Sequence, residues 1–186
     1  MKPETTRHTD PSRRRFLAGS AAGLLLLVGR QPIAGPRPRE LAFHHTHTGE
    51  RLRVEYHDGR RYLDDALREL QRYLRDFRTG EEHPMDPGVF DVLYALQCRT
   101  VGGCRPYHVI SGYRSPATNA KLRSRSKGVA KHSLHMQGKA IDVRMPGVDI
   151  RDLYRAALAL KQGGVGLYSK SNFIHLDTGR VRTWGA

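Results

Sequence analysis

Two histidines and one aspartate form the set of side chains in this sequence that is best suited to chemistry. His135 and Asp142 lie seven positions apart, with Gly138 between them, and His175 follows in a later apolar segment. Imidazole nitrogens and carboxylate oxygens are common zinc ligands, and three of them with a fourth position left to water are typical of a hydrolytic centre. The three residues are therefore candidate ligands of a catalytic metal ion.

Two predicted strands would position these ligands. In a strand over residues 139–145, alternation turns Asp142 toward one face and its apolar neighbours toward the other. In a strand over residues 173–177, His175 and Asp177 share one face for the same reason. The two strands can thus direct polar side chains into a common cleft.

A third predicted strand, over residues 107–111, leads into a glycine turn that carries Arg114. A guanidinium in this place is suited to bind a carboxylate or a developing oxyanion bidentately. The residues by themselves leave a structural ion pair as an equal alternative. We expect Tyr113 to shape the same pocket, with core packing of its ring as the alternative, and Ser133 to contact the substrate or a ligand.

A longer pattern runs through these residues: Ser133-x-His135-x-x-Gly138-x-Ala140-x-Asp142, followed by a later strand with a histidine. It resembles the zinc D-alanyl-D-alanine peptidase superfamily, which shares its fold and metal site with the hedgehog signalling domain. Segments 111–115, 163–168 and 173–179 make the chain similar to the YcbK-like branch of murein endopeptidases, of the peptidase M15 type. The resemblance extends over residues 41–184.

The resemblance implies one Zn²⁺ per chain, bound by His135, Asp142 and His175, and it supports Arg114 as the cation that faces the substrate. The implied activity is hydrolysis of peptide cross-links in peptidoglycan, whose peptide stems would be the partner. Two alternatives use the same site: a murein D,D- or L,D-carboxypeptidase, and a catalytically silent zinc-containing module that binds the wall. The residues do not indicate which cross-link is cleaved.

The general base is not identified by spacing. Related peptidases place a Glu or a His a few positions before the last zinc histidine, whereas Asn172 and Phe173 stand there in this chain. Asp177 and His132 are candidates, together with the histidines of a predicted hairpin. No spacing rule selects among them, so the base stays open.

Residues 1–34 are predicted to be a twin-arginine signal segment. Ser12-Arg13-Arg14-Arg15-Phe16-Leu17 carries the pattern, and the uncharged apolar run 17–28 is shorter than the roughly 20 residues that span a membrane. We expect the signal segment to be cleaved near Ala34. The alternative is that it is retained as an N-terminal anchor, which would then be the only part of the protein in contact with the membrane. Export by this route leads to the bacterial periplasm.

The exported part is strongly basic. Residues 1–34 hold six of the 32 basic and two of the 18 acidic residues, so the net charge of +14 for the whole chain falls only to +10. For an exported protein, anionic wall polymers or phospholipid headgroups are nearer partners than nucleic acid, which we exclude; a merely solvated basic surface is the alternative. An oxidising compartment would permit a disulfide between Cys98 and Cys104.

Residues 35–186 are predicted to form a single α+β domain, with a small antiparallel β-sheet and flanking helices, and we expect a monomer. Three hairpin histidines are assigned to a polar face near the cleft mouth rather than to a second metal site, and Trp184 to surface or edge-strand packing. The histidines are His44, His45 and His47. The predicted strands are 41–45, 51–57, 107–111, 139–145, 165–168 and 173–177, and the predicted helices are 62–77, 86–98, 116–122 and 149–161.

Overall fold

The computed structural model of the protein describes residues 37–100, 102–126 and 128–185. The predicted signal segment, residues 1–34, lies outside these ranges. The strands are β1 (Arg39–His45), β2 (Arg51–His57), β3 (Tyr107–Ser111), β4 (Ala140–Arg144), β5 (Gly164–Tyr168), β6 (Phe173–Asp177) and β7 (Arg182–Trp184). The α-helices are α1 (Asp64–Tyr73), α2 (Pro87–Thr100), α3 (Pro116–Arg125) and α4 (Ile150–Leu158), and two short 3-10 helices cover Leu134–Gln137 and Ser169–Ser171.

All seven strands of the described residues form one sheet in the order β2-β1-β3-β4-β6-β5-β7. Four of the six pairings are antiparallel, whereas β1 pairs with β3 and β5 with β7 in parallel. The predicted α+β class is confirmed. The sheet is mixed rather than purely antiparallel because the chain crosses from β1 to β3 through other elements, and such a crossover can return it in its original direction.

Cross-strand partners divide the side chains between the two faces of the sheet. Apolar partners such as Leu41 and Val54, or Ile141 and Leu176, lie on one face together with the buried side chains of α1, α2 and α4. Asp142 and its partner His175 lie on the other face. The hydrophobic core therefore occupies one side of the sheet, and the candidate ligands are on the side opposite these three helices.

The first helix ends earlier than its apolar periodicity predicts. The prediction was 62–77, whereas α1 ends at Tyr73. The backbone oxygen of Leu74 instead accepts a hydrogen bond from Tyr113 N at 2.8 Å, and the Asp76 carboxylate accepts one from Ser115 N at 2.9 Å. Residues after the helix thus bind the loop that carries Arg114, a long-range use that local spacing does not reveal.

Both cysteine thiols are free in the structure, with Cys98 exposed near the end of α2.

His45 is buried, and the ring of His47 stacks on the ring of Phe77, with centroids 4.4 Å apart. The described residues that line the candidate cleft include none of the three hairpin histidines.

No helix within the described ranges has both the length and the apolar character needed to cross a lipid bilayer.

Candidate metal centre

His135 lies on the 3-10 helix that precedes β4, and its orientation is set by the backbone of the Arg114 loop. Its Nδ1 donates a hydrogen bond to the Gly112 carbonyl oxygen at 2.7 Å. In a neutral imidazole this leaves Nε2 without a proton. The free lone pair points toward Asp142 Oδ1 at 3.2 Å and toward His175 Nδ1 at 3.1 Å.

Asp142 and His175 face each other directly across β4 and β6. His175 Nδ1 lies 2.9 Å from Asp142 Oδ1, while His175 Nε2 donates to Asp177 Oδ2 at 3.0 Å. Asp177 is two residues farther along β6 and on the same face. A carboxylate behind a ligating imidazole fixes the ring and its tautomer, as is usual at metal sites.

The three ligand atoms fit a metal ion. They lie 2.9 to 3.2 Å apart, and ligands bound tetrahedrally to zinc at 2.0–2.1 Å would stand roughly 3.3 Å from one another. All three residues are buried, at 2% exposure for His135, 6% for Asp142 and 8% for His175. This group is able to bind a metal ion.

The electrostatics of the group also favour a cation. Burial raises the pKa of Asp142, but His135 and His175 outweigh that effect and hold the pKa well below its usual range. Burial lowers the pKa of His175, but hydrogen bonds to Asp142 and Asp177 outweigh it and leave the pKa raised. An ionised carboxylate and a second one behind His175 thus favour positive charge where the ligand atoms meet.

Arg114 lies beside this group and forms an ion pair with its carboxylate. It is buried, and its Nη2 is 3.4 Å from Asp142 Oδ2. Within the described residues its Nε has no hydrogen-bond partner. Arg114 also lines the cleft, so its guanidinium is placed to meet a group that enters there.

The loop that carries Arg114 is held at both ends. Arg114 N donates a hydrogen bond to the His135 carbonyl oxygen at 3.2 Å, and the Asp76 carboxylate accepts one from Ser115 N. Gly112 packs so closely on the residue that follows α1 that a Cβ there would lie 2.6 Å from Leu74 O. A β-bulge in β3 just before this loop brings Ser111 opposite Asp142, a device that re-aims side chains next to functional sites.

The three candidate ligands, His135, Asp142 and His175, are here called the metal group. They open into a cleft of about 380 Å³. One wall is aromatic: Tyr168 and Phe173 stack with centroids 4.5 Å apart, and Trp184 Nε1 donates to Tyr168 Oη at 3.1 Å. The Trp184 ring also lies 5.1 Å from the His175 ring. Sequence reasoning assigned Trp184 to packing alone, because only the parallel pairing of β7 with β5 brings it to the cleft.

The opposite side of the cleft is formed by the segment around the 3-10 helix and by the loop after α3. Ser133 and His132 line it, His132 being exposed and Ser133 buried. Described residues of the loop, among them Val129 and Ala130, also line the cleft. Tyr113 does not: it stacks on His83 with centroids 4.8 Å apart and belongs to the core. The structure thus favours the packing role of Tyr113 over substrate contact.

The Asp177 carboxylate is fully engaged. Besides His175 it binds both Nη atoms of Arg182, at 3.0 and 2.7 Å, and it accepts from Gly164 N and Gly179 N. Burial raises its pKa, but these donors outweigh burial and leave the pKa well below its usual range. A carboxylate saturated in this way has no free lone pair for a substrate proton, so the geometry argues against Asp177 as general base. Arg182 has no local sequence signal for this contact.

A sequence model of the family described as peptidoglycan L,D-endopeptidase MepK matches residues 33–184. The chain is 44% identical over 179 residues to the peptidoglycan L,D-endopeptidase MepK of Escherichia coli (strain K12), covering 94% of this chain and 98% of that protein. It is 41% identical over 181 residues to the probable peptidoglycan L,D-endopeptidase MepK of Haemophilus influenzae, covering 95% and 97%. No solved structure gives a significant match. The resemblance identified in the sequence is confirmed.

Proposed function

The chain belongs to the peptidoglycan L,D-endopeptidase MepK family, and from this premise we propose that it hydrolyses peptide cross-links of peptidoglycan with one bound Zn²⁺. The observation that carries the proposal is the meeting of His135, Asp142 and His175 at the floor of a cleft, with the partly unpaired Arg114 beside them. Membership supports the peptidoglycan substrate, and this geometry supports a metal-assisted reaction.

Zinc is the proposed metal because of the donor set. Two imidazole nitrogens and one carboxylate oxygen are a common three-ligand set of catalytic zinc, which leaves a further coordination position for the reaction. When bound, such an ion supplies Lewis-acid activation of the amide carbonyl and of the attacking water. The hydrogen bonds from His135 to Gly112 O and from His175 to Asp177 keep both ligands in the tautomer that binds the metal.

The protein's own side chains have separate roles in this proposal. Arg114 donates to the oxygen of the scissile amide, where negative charge develops as water attacks. His132 is proposed to accept the proton of the attacking water, because it lines the cleft and is exposed. The Asp177 carboxylate, in contrast, is already bound by Arg182. Ser133 contacts the substrate from the same wall. The aromatic wall of Tyr168, Phe173 and Trp184 holds the peptide stem against the metal group and excludes water from one side.

The proposed bond joins an L-centre to a D-centre, as the names of the relatives state for those proteins. In peptidoglycan this describes the 3-3 cross-link between two diaminopimelate residues, whereas the 4-3 cross-link joins two D-centres. All three ligands come from one chain, so the site requires no residue of a second copy, and we propose action as a monomer.

The test is chromatography with mass spectrometry of purified 3-3 and 4-3 cross-linked muropeptide dimers, incubated with zinc-loaded protein, with chelator, and with His135→Ala. We expect 3-3 dimers to be converted to monomers, and both chelator and His135→Ala to abolish the conversion. His47→Ala, which removes an exposed histidine outside the cleft, should cleave like the unaltered protein.

Other outcomes select the alternatives. Release of only a terminal amino acid would assign the protein as a carboxypeptidase. Unchanged dimers from folded, zinc-loaded protein would leave a wall-binding module without catalysis.

The location of this substrate supports export to the periplasm, and we propose that residues 1–34 direct it through the twin-arginine route. Replacement of Arg13 and Arg14 by lysine should retain the protein in the cytoplasm, as measured by cell fractionation. Export at an undiminished level would contradict the route but not the enzymatic proposal.

A further inference from the structure

Four basic side chains form a line across the first four strands of the sheet. His44 on β1 pairs with Arg51 on β2 and with His108 on β3, and His108 pairs with Arg144 on β4. Directly paired residues project from the same face of a sheet, and adjacent strands lie roughly 4.8 Å apart. These four residues, here called the basic row, thus extend about 14 Å across the sheet.

The basic row is on the face that carries the metal centre. Arg144 follows Asp142 by two positions on β4, so the two side chains share a face and lie about 7 Å apart along the strand. Helices α1, α2 and α4 pack on the opposite face. Arg51 is exposed, and the other members of the row are half-buried, so the row is open to a ligand.

The charges of the basic row are not neutralised by the protein. Among the described residues, Arg51 and Arg144 take part in no salt bridge or side-chain hydrogen bond, whereas the neighbouring Arg53 is paired with Glu40 at 2.9 Å. His44 Nδ1 and His108 Nε2 approach to 3.4 Å with their rings edge to face. Burial lowers the pKa of His108, and the charges of His44, Arg144 and Arg51 lower it further. The positive potential along the row therefore comes from the two unpaired guanidinium groups, Arg51 and Arg144, at its ends.

The surface at the row is concave. A hollow of about 370 Å³ lies at the Arg51 end of the row, where His44, His108 and Arg51 line it beside apolar neighbours such as Leu52 and Pro106. The large hydrophobic side chains that are exposed in the described residues are Tyr62 and Val181, and neither belongs to the row. Unpaired guanidinium groups without a large exposed apolar side chain beside them suit a carboxylate on a peptide better than a membrane surface.

We propose that the basic row binds free carboxylates of the cross-linked peptide stems, beyond the bond that lies at the metal centre. An extended peptide rises about 3.3 Å per residue, so a stem aligned along β4 would reach Arg144 about two residues from the reacting bond. The proposal rests on the proposed function and extends it: the row supplies substrate affinity without taking part in the chemistry.

The test compares Arg51→Gln/Arg144→Gln with the control Arg99→Gln/Arg151→Gln, which removes the same charge from exposed positions on α2 and α4. Kinetics of the zinc-loaded proteins are measured on a 3-3 cross-linked dimer and on the same dimer with its free carboxylates amidated. The first double variant should raise KM about tenfold with kcat within twofold, because it loses two ionic contacts. The control should not change KM, and on the amidated dimer all proteins should share one KM.

A second arm measures co-sedimentation of the same proteins with intact sacculi at 4 °C and with vesicles of phosphatidylglycerol. We expect the row variant to bind sacculi about tenfold more weakly than the control does. Equal binding by both variants would overturn the proposal, and so would a loss confined to vesicles, which would assign the row to lipid phosphate. If no protein cleaves any dimer, this arm still tests the row, so failure of the two proposals is distinguishable.

Discussion

Asp142 and His175 are direct partners across two antiparallel strands, with Asp142 Oδ1 2.9 Å from His175 Nδ1. Two of the three candidate ligands thus project from hydrogen-bonded strands in the middle of the sheet rather than from loops. Strand backbones restrict the movement of such side chains more than loops do. The third ligand, His135, lies on a 3-10 helix. The backbone carbonyl oxygen of His135 also accepts a hydrogen bond from Arg114 N.

Replacement of Asp177 by asparagine should weaken metal binding. The carboxylate holds His175 in the tautomer that presents Nδ1, and loss of such a partner costs about 10- to 100-fold in metal affinity. Zinc affinity is measured by competition with a chromophoric chelator, with circular dichroism to verify folding. Asp65→Asn on the exposed side of α1 is the matched control. Unchanged affinity would mean that the strand alone orients His175.

Replacement of Arg114 by lysine should reduce catalysis without removing the metal. Lysine keeps the charge but loses the planar fork, and loss of one donor to a developing oxyanion costs about 100-fold in kcat. The measurement is kcat on the cross-linked dimer together with zinc content of the purified protein. Arg60→Lys, at an exposed position in the loop after β2, serves as control. A parallel fall in zinc content would show that Arg114 acts by holding Asp142.

Gly138→Ala should destabilise the fold far more than Gly49→Ala. Both glycines have positive φ, +65° and +75°, but a Cβ at Gly138 would lie 2.0 Å from Pro84 O, whereas one at Gly49 meets nothing within 4 Å. The conformational cost alone is about 1 kcal/mol, and the backbone clash should raise the loss at Gly138 above roughly 3 kcal/mol. Urea denaturation measures the free energy of unfolding of both variants. Similar losses of stability in the two would mean that the segment around Pro84 moves to accommodate the Cβ.

Stability should decrease as pH falls below about 6.5, partly because of His45. Burial, with a smaller effect of His47, lowers the pKa of this histidine to about 4. Its Nδ1 accepts from His47 N and Thr48 N at 3.2 and 3.3 Å, so a proton there would oppose two donors. The unfolded chain binds that proton near pH 6.5, so the free energy of unfolding falls between pH 6.5 and 4, by up to about 3 kcal/mol.

His45→Asn retains an acceptor for the two backbone donors and removes the titration. Its free energy of unfolding, measured by urea denaturation from pH 7.5 to pH 4, should fall less steeply than that of the unaltered protein. Parallel curves for the two proteins would contradict the assignment to His45.

Much of the candidate site could be predicted from the sequence because its signals are local. The alternation that turns Asp142 and His175 to one face depends only on the period of a strand. The spacing from His135 to Asp142, read together with the later histidine, identified the family that the comparisons with known proteins confirm. The α+β class followed from helical and strand periodicities in the same way.

What the sequence by itself determined is therefore the candidate ligand set, the elements that carry it and the family. Only the tertiary structure decided which side chains surround that set: Arg182 saturates Asp177, Trp184 reaches the cleft, Tyr113 packs on His83, and the basic row forms across four strands. These arrangements depend on strand order and register, which bring together residues far apart in the chain. Periodicity reports only which face of its own element a residue occupies, so it does not specify the partner across the sheet.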